Sequence, residues 1–312
     1  MAAKMKIYSD KRYLKNLKHI RPILMPFWGH DEDHTAPTAG RFDDWISNGP
    51  NIFEMVSLEN ADIVVYPMDP TIDRNGFRRF QEDTKDKKIV AFFNSDSDEI
   101  LSYKDGVYIF RTSFYKSTQR HSEFAVPGWS EDWGAFKPRS WGEKPVVGFC
   151  GQVHRPQIRA RSLAVLEADK KIETHFIKKR AFWGGWIDRG KKPHDGKMLR
   201  NEFVNNIKNS DYTVCARGGG NFSYRIYETL MSGRIPIFID TDCVLPYDFI
   251  VDWKKEFLVV RDTDINLLGA KLIEFHNSIR ERFENRQEHM RKLWEQWISP
   301  TGFFTNFNKH FE

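Results

Sequence analysis

The chain has 312 residues, 29% of them charged and 40% hydrophobic, with a formal net charge of +5. At roughly 100–200 residues per domain that length predicts two domains, with a core large enough to need no disulfide or metal staple. Twenty-five phenylalanines, ten tryptophans and ten tyrosines exclude a disordered chain, and so small and evenly mixed a charge excludes nucleic acid as the partner.

The first segment, 1–29, is charged through residue 21 and contains no uninterrupted apolar core of a signal peptide. No run approaches the ~20 apolar residues of a membrane helix, so a soluble, cytoplasmic protein is expected. Strands are predicted at 5–9, 22–27, 61–67, 87–93 and 106–111. Between them Phe42, Trp45, Ile46, Ile52, Phe53 and Val56 form an apolar pattern broken by Ser-Asn-Gly-Pro at 47–50, which places a helix only after Pro50. Residues 126–145 hold three prolines, three glycines and no clean period, the mark of a linker.

A second unit follows. Its pattern is strand 146–150, helix 156–168, strand 172–177, helix 197–209, strand 211–215, helix 223–232 and strands 235–239 and 256–260. Strands alternating with helices predict parallel sheets, so the fold class is α/β, with two doubly wound, Rossmann-like domains facing a cleft. Ligands of such sheets bind beyond the carboxyl ends of the strands. The stretch 265–297 reads as one long helix on the stripe Leu268, Leu272, Phe275, Ile279, Phe283, stopped by Ser299-Pro300. The tail after it carries four phenylalanines and is expected to dock. Cys150, Cys215 and Cys243 are odd in number and far apart, which reads as buried small hydrophobes rather than a disulfide framework or zinc site.

The chemistry concentrates in 211–240, DYTVCARGGGNFSYRIYETLMSGRIPIFID. A strand runs into Arg217, Gly218, Gly219 and a third glycine, then a helix opens near Ser223. Glycines let backbone amides approach a ligand, and a helix N-terminus adds free N–H groups and partial positive charge. Arg217 and Arg225 supply charge-assisted contacts to phosphate oxygens. Ser223 adds a hydroxyl, and Glu228 on the first turns is placed to accept from sugar or ribose hydroxyls. The bland alternative is a plain loop with Ser223 as an N-cap.

This segment resembles the exostosin-type glycosyltransferases, family 47 of the carbohydrate-active enzymes. The residues that carry the likeness are Arg217-Gly218, Ser223-Tyr224-Arg225, Tyr227-Glu228, Gly233-Arg234-Ile235-Pro236, Leu245-Pro246 and Asp252-Trp253, in that order. Upstream, 61–67 and Gly148–Gln152 followed by Arg155 and Arg159 are similar to family strands. The resemblance implies a B-type glycosyltransferase of the compact soluble kind found in bacteria and large viruses. Residues 1–140 would bind the acceptor, 141–290 the nucleotide sugar, and 291–312 would pack back toward the first domain. It implies an inverting transfer from a UDP-sugar co-substrate to a glycan hydroxyl, with UDP-xylose as a lead and no permanently bound cofactor or obligatory divalent metal. Arg155 and Arg159 would join Arg217, Gly218, Gly219, Ser223, Arg225 and Glu228 at the donor. Trp183 and Trp186 are candidates for stacking on the acceptor.

Inversion needs a base at the acceptor hydroxyl. Candidates are Asp31 and Asp33, Asp69, and Asp96 or Asp98, all following expected strand ends. His30 and His34 flank the first pair and leave a metal cluster open. Two other readings stand beside this one. Asp96 and Asp98 form an Asp-x-Asp of the kind that holds a metal in A-type transferases, and the tryptophans suit a carbohydrate-binding protein without catalysis.

Overall fold

The computed structural model describes residues 3–32, 39–93, 97–154, 156–181 and 193–312. The first sheet has six parallel strands: β1 (Met5–Tyr8), β2 (Phe53–Met55), β3 (Ile63–Val65), β4 (Lys88–Phe93), β5 (Val107–Arg111) and β6 (Glu123–Ala125). Their order is β2-β1-β3-β4-β5-β6. The second sheet has five parallel strands: β7 (Val146–Gln152), β8 (Glu173–Lys179), β9 (Tyr212–Cys215), β10 (Ile235–Asp240) and β11 (Leu258–Arg261), ordered β11-β10-β9-β7-β8. Parallel sheets are covered on both faces, so their strands carry continuous apolar runs. Ile63–Val65 and Ile235–Ile239 are accordingly buried throughout. Two doubly wound units set against one another are the B-type architecture that the alternating pattern predicts.

The helices are α1 (Met25–Trp28), α2 (Asp43–Ile52), α3 (Arg74–Asp83), α4 (Gln157–Ala168), α5 (Pro193–Lys208), α6 (Tyr224–Met231), α7 (Trp253–Glu256), α8 (Leu268–Ser278), α9 (Phe283–Leu293) and α10 (Pro300–Thr305). Three expectations are corrected. Residues 22–27 are not a strand but a 3-10 turn over Pro22–Leu24 running into α1. Two prolines four residues apart remove ladder donors, and helical turns bury Ile23, Leu24 and Met25 instead. The helix placed after Pro50 lies mostly before it: Pro50 occupies the last turn of α2. Gly49 is required there, because a Cβ would sit 2.3 Å from Pro26 of α1. The long C-terminal helix is broken at Ile279 into α8 and α9, and a single π turn over Trp294–Ile298 then leads to Ser299. Ser299 caps α10 by accepting from the Gly302 N–H, so it starts a helix as well as ending one.

The tail docks on the first domain. Phe304 stacks on Trp45 at 4.5 Å and Phe307 lies 4.8 Å from Phe110, so α10 packs on α2 and the first sheet. Among the described residues no helix is long and apolar enough to cross a membrane. Cys150 and Cys215 are buried, Cys243 is half-buried, and all three are free thiols.

His310 sits at the centre of this aromatic cluster, 4.9 Å from Phe110 and 4.7 Å from Tyr247. Burial pushes its pKa down from 6.5 to about 4. Above the unfolded value both states are neutral there. As pH falls below about 6.5 the unfolded chain binds a proton that the native chain excludes, so stability declines until the folded value is reached. Between pH 7 and 5 this group should cost about 2 kcal/mol. In urea unfolding, His310→Phe should show a correspondingly smaller acid loss than the native protein.

Candidate functional site

The second sheet reverses its strand order between β7 and β9, and ligands bind outside the carboxyl ends of strands at such a point. A cavity of about 560 Å³ lies there. Its lining includes Gly151 and Gln152 at the end of β7, Gly218 and Gly219 after β9, and Ser223, Arg225 and Glu228 from the start of α6. Arg159 of α4 closes it from another side. Every residue from Arg225 to Met231 is buried, because α6 is packed between β9, β10 and α9. Its polar residues are therefore held inside rather than turned to solvent.

Arg225 is 8% exposed and donates through Nη2 to the Cys150 carbonyl at 2.9 Å, with its guanidinium 4.4 Å from the Phe149 ring. Its Nε is buried with no hydrogen-bond partner. Gly151, at φ 151°, makes room for it: a Cβ would lie 2.8 Å from Arg225 Nη2. Arg159 donates from Nη1 to the Gln152 carbonyl at 3.2 Å, and its Nε is also unsatisfied. Burial, then the charge of Arg225, push the Arg159 pKa down to about 9. Burial likewise lowers Arg225. Both remain cations at neutral pH. Among the described residues neither forms an ion pair. Ser223 is the N-cap of α6 but makes no side-chain capping bond, so its hydroxyl is not spent on its own helix.

Glu228 is already engaged. Arg200 of α5 donates from Nη1 to Glu228 at 2.7 Å, and from Nε and Nη2 to both oxygens of Glu131 at 3.0 and 3.1 Å. Burial alone would lower the Arg200 pKa, but Glu228 and Glu131 more than offset it and raise the value. Sequence reasoning missed Arg200. The signal was present: the stripe Phe203, Ile207, continued one turn back, lands on an arginine, and an arginine on a buried face needs a carboxylate.

Arg217 is the main departure. It does not line the cavity. Its Nη2 pairs with Asp98 at 2.7 Å and its Nη1 donates to the Tyr115 hydroxyl at 2.7 Å, both in the first domain. Asp98 also accepts from the Asn221 N–H at 2.7 Å and from the Ser113 hydroxyl. Burial would raise the Asp98 pKa, but the bonds from Ser113, Asn221 and Arg217 win and hold it below the usual carboxylate range. Asn221 adds bonds to the Phe114 and Asp242 carbonyls at 3.1 and 3.2 Å. The glycine-rich loop is thus clamped to the first domain.

The proposed base residues are not gathered at the cavity. Asp31 is exposed and faces Lys18 at 3.9 Å. Asp69 is buried but accepts from the N–H and hydroxyl of Thr71 at 2.8 and 2.7 Å, the geometry of a turn. Asp33, His34, Asp96, Arg155, Trp183 and Trp186 lie outside the described residues. Glu32, passed over in the sequence, is largely buried beside His30 at 3.6 Å and accepts from the Gly40 N–H at 3.0 Å. Among the described residues no group of three or more His, Cys, Asp or Glu is placed to hold a metal ion.

No family model matches the chain. Over 111 residues it is 27% identical to the Exostosin-1 homolog of Caenorhabditis elegans, a match that spans 36% of this chain and 28% of that protein. Among solved structures it is similar to TarM, with TM-score 0.43 and 12% identity over 80% of this chain and 54% of the other. It is also similar to CalG4, the calicheamicin glycosyltransferase, with TM-score 0.38 and 12% identity over 99% and 98%. An alpha1,3-fucosyltransferase gives TM-score 0.40 and 11% identity over 100% and 91%.

The Arg200 triad generates a stability prediction. Arg200→Met leaves the buried Glu228 and the half-buried Glu131 without their shared cation and should cost about 3–5 kcal/mol. Arg200→Met combined with Glu228→Gln should recover part of that loss in urea unfolding. Equal losses in the single and double variants would show that Glu228 is not held by this pair.

Proposed function

We propose that the protein is a glycosyltransferase that takes a sugar from a nucleotide diphosphate donor. The observation that carries this reading is the pair of unneutralised guanidiniums, Arg159 and Arg225, at the switch point of the second sheet. Two like charges, one buried and one half-buried, with no ion pair among the described residues oppose folding, and a diphosphate would relieve that opposition. The Ser223 hydroxyl adds a neutral donor on the same side. The likeness of part of the chain to an exostosin homolog supports the same class.

In this reading residues 141–290 hold the donor, residues 1–140 the acceptor, and 291–312 tie the two together. The donor is a UDP-sugar, with UDP-xylose the lead, and the acceptor is a glycan hydroxyl. Transfer inverts the anomeric centre. Arg159, Arg225 and Ser223 stabilise the departing diphosphate, where fixed donors act most strongly. Glu228, with one side held by Arg200, takes a ribose hydroxyl. The proposed base is an acidic residue of the first domain, with Glu32, which accepts from the N–H of Gly40 next to the cavity residue Arg41, a candidate beside Asp31 and Asp33. Trp183 and Trp186 remain the proposed acceptor stack. The A-type alternative loses its main support, because Asp98 is committed to Arg217, Ser113 and Asn221. A carbohydrate-binding protein would not need the two arginines.

UDP should raise the melting temperature of the native protein, since a ligand that binds only the folded state stabilises it. Losing a charge-assisted hydrogen bond costs about 1.5–3 kcal/mol, so Arg225→Ala should weaken UDP binding by roughly 10- to 150-fold. Unchanged binding in that variant would sink the proposal. Donor hydrolysis and transfer, screened over a panel of UDP-sugars, should persist in EDTA, whereas a metal-bridged diphosphate would lose turnover.

A further inference from the structure

The cavity holds a third guanidinium with no ion pair among the described residues. Arg41 lines it, and among the described lining residues it alone precedes the linker. Gly40, at φ 81° and anchored through its N–H to Glu32 at 3.0 Å, makes the turn that delivers Arg41 just ahead of α2. The Arg41 Nε is buried with no hydrogen-bond partner, and its guanidinium rests 5.1 Å from the Phe42 ring. Nearby Asp44 is occupied elsewhere, accepting from Asn48 at 3.0 Å and from Thr301. Arg41 is therefore a cation brought to the donor cavity from the opposite domain without a protein counter-ion among the described residues.

We infer that Arg41 is a catalytic residue that binds the leaving diphosphate from across the cleft. The inference rests on the glycosyltransferase reading and adds charge matching to it. A nucleotide sugar is a diphosphate diester with about two negative charges. Once the sugar has left, the terminal phosphate ionises again, with a pKa near 6, so the released nucleotide carries about three. Arg159 and Arg225 match the first state. Arg41 matches the charge that appears only as the bond breaks. In that step the electron pair of the sugar C1–O bond leaves with the β-phosphate oxygen. The acceptor oxygen forms the new bond to C1, and its proton passes to the base on the acceptor side. A cation that meets charge present only late in the step lowers the barrier rather than tightening substrate binding.

The test uses the full chain, with calorimetry at pH 8 and two probes. UDP stands for the triply charged product. UDP-glucose stands for a doubly charged diester, whichever sugar is transferred. Arg41→Gln should weaken UDP at least about tenfold while changing UDP-glucose less than about threefold, and Arg41→Lys should fall between. With the identified donor and acceptor, Arg41→Gln should lower kcat about 100-fold and leave the acceptor KM nearly unchanged. Equal losses for both probes, no loss for either, or a raised acceptor KM with intact UDP binding would overturn the inference. Native protein that binds neither probe would instead remove the glycosyltransferase reading itself. Melting curves of both variants separate these outcomes from failure to fold.

Discussion

Positive charge that forms no ion pair among the described residues, at the carboxyl edge of the second sheet, is the constraint around which the rest of the molecule is arranged. Arg225 sits on a helix buried from Arg225 to Met231, and its bond to the Cys150 carbonyl leaves its Nε unsatisfied. Holding a guanidinium there requires the left-handed Gly151, the open Phe149 ring face and the close packing of α6 on β9 and β10. Arg159 adds a second charge that each of the two feels as repulsion. A fold selected for stability alone would pair these groups or replace them with apolar side chains. Their retention beside a free serine hydroxyl and a glycine loop makes sense for a site that waits for an anion.

The same cavity shows what pairing looks like when it is present. Arg200, one residue layer away, is gripped by Glu131 on one side and Glu228 on the other. That contrast sorts four cavity residues by role. Arg200 is spent on positioning, since its charge is more than cancelled, and Glu228 is oriented by it. Arg159 and Arg225 keep their charge for whatever enters. Because Glu131 belongs to the segment between the two sheets, the inter-domain connection is tied directly into the floor of the site.

Much of this was legible in the sequence, for physical reasons that can be named. Buried parallel strands need continuous apolar runs, so 146–150, 211–215 and 235–239 stood out, within two residues of the observed β7, β9 and β10, and the turn into Ser223 marked the helix that carries Arg225 and Glu228. The three-residue edge strands β2 and β6 are too short to show a period. Residues 22–27 look extended because the run is apolar, and only the two prolines spoke against it. Arg217 shows the deeper limit. Its neighbours in sequence are phosphate-loop residues, yet its partner Asp98 lies 119 positions away in the other domain. Local pattern reports which side chains share an element. It does not report which one a distant carboxylate will claim.

That displacement of Arg217 has a structural logic of its own. The glycine-rich loop must approach a ligand closely, and a loop of glycines is entropically reluctant to stay in one shape. Asp98 resolves this from outside the domain. It fixes Arg217 at one end of the loop and the Asn221 N–H at the other, while Asn221 bonds the Phe114 and Asp242 carbonyls. The loop is thus held at both ends by the partner domain, and between them Gly218, whose N–H donates to the Phe222 carbonyl at 3.0 Å, and Gly219 line the cavity. The aromatic tail stacked on Trp45 and Phe110 draws the domains together on another face. The width of the cleft and the shape of the loop are therefore not independent. A change in one domain's position would pull on the loop that lines the cavity.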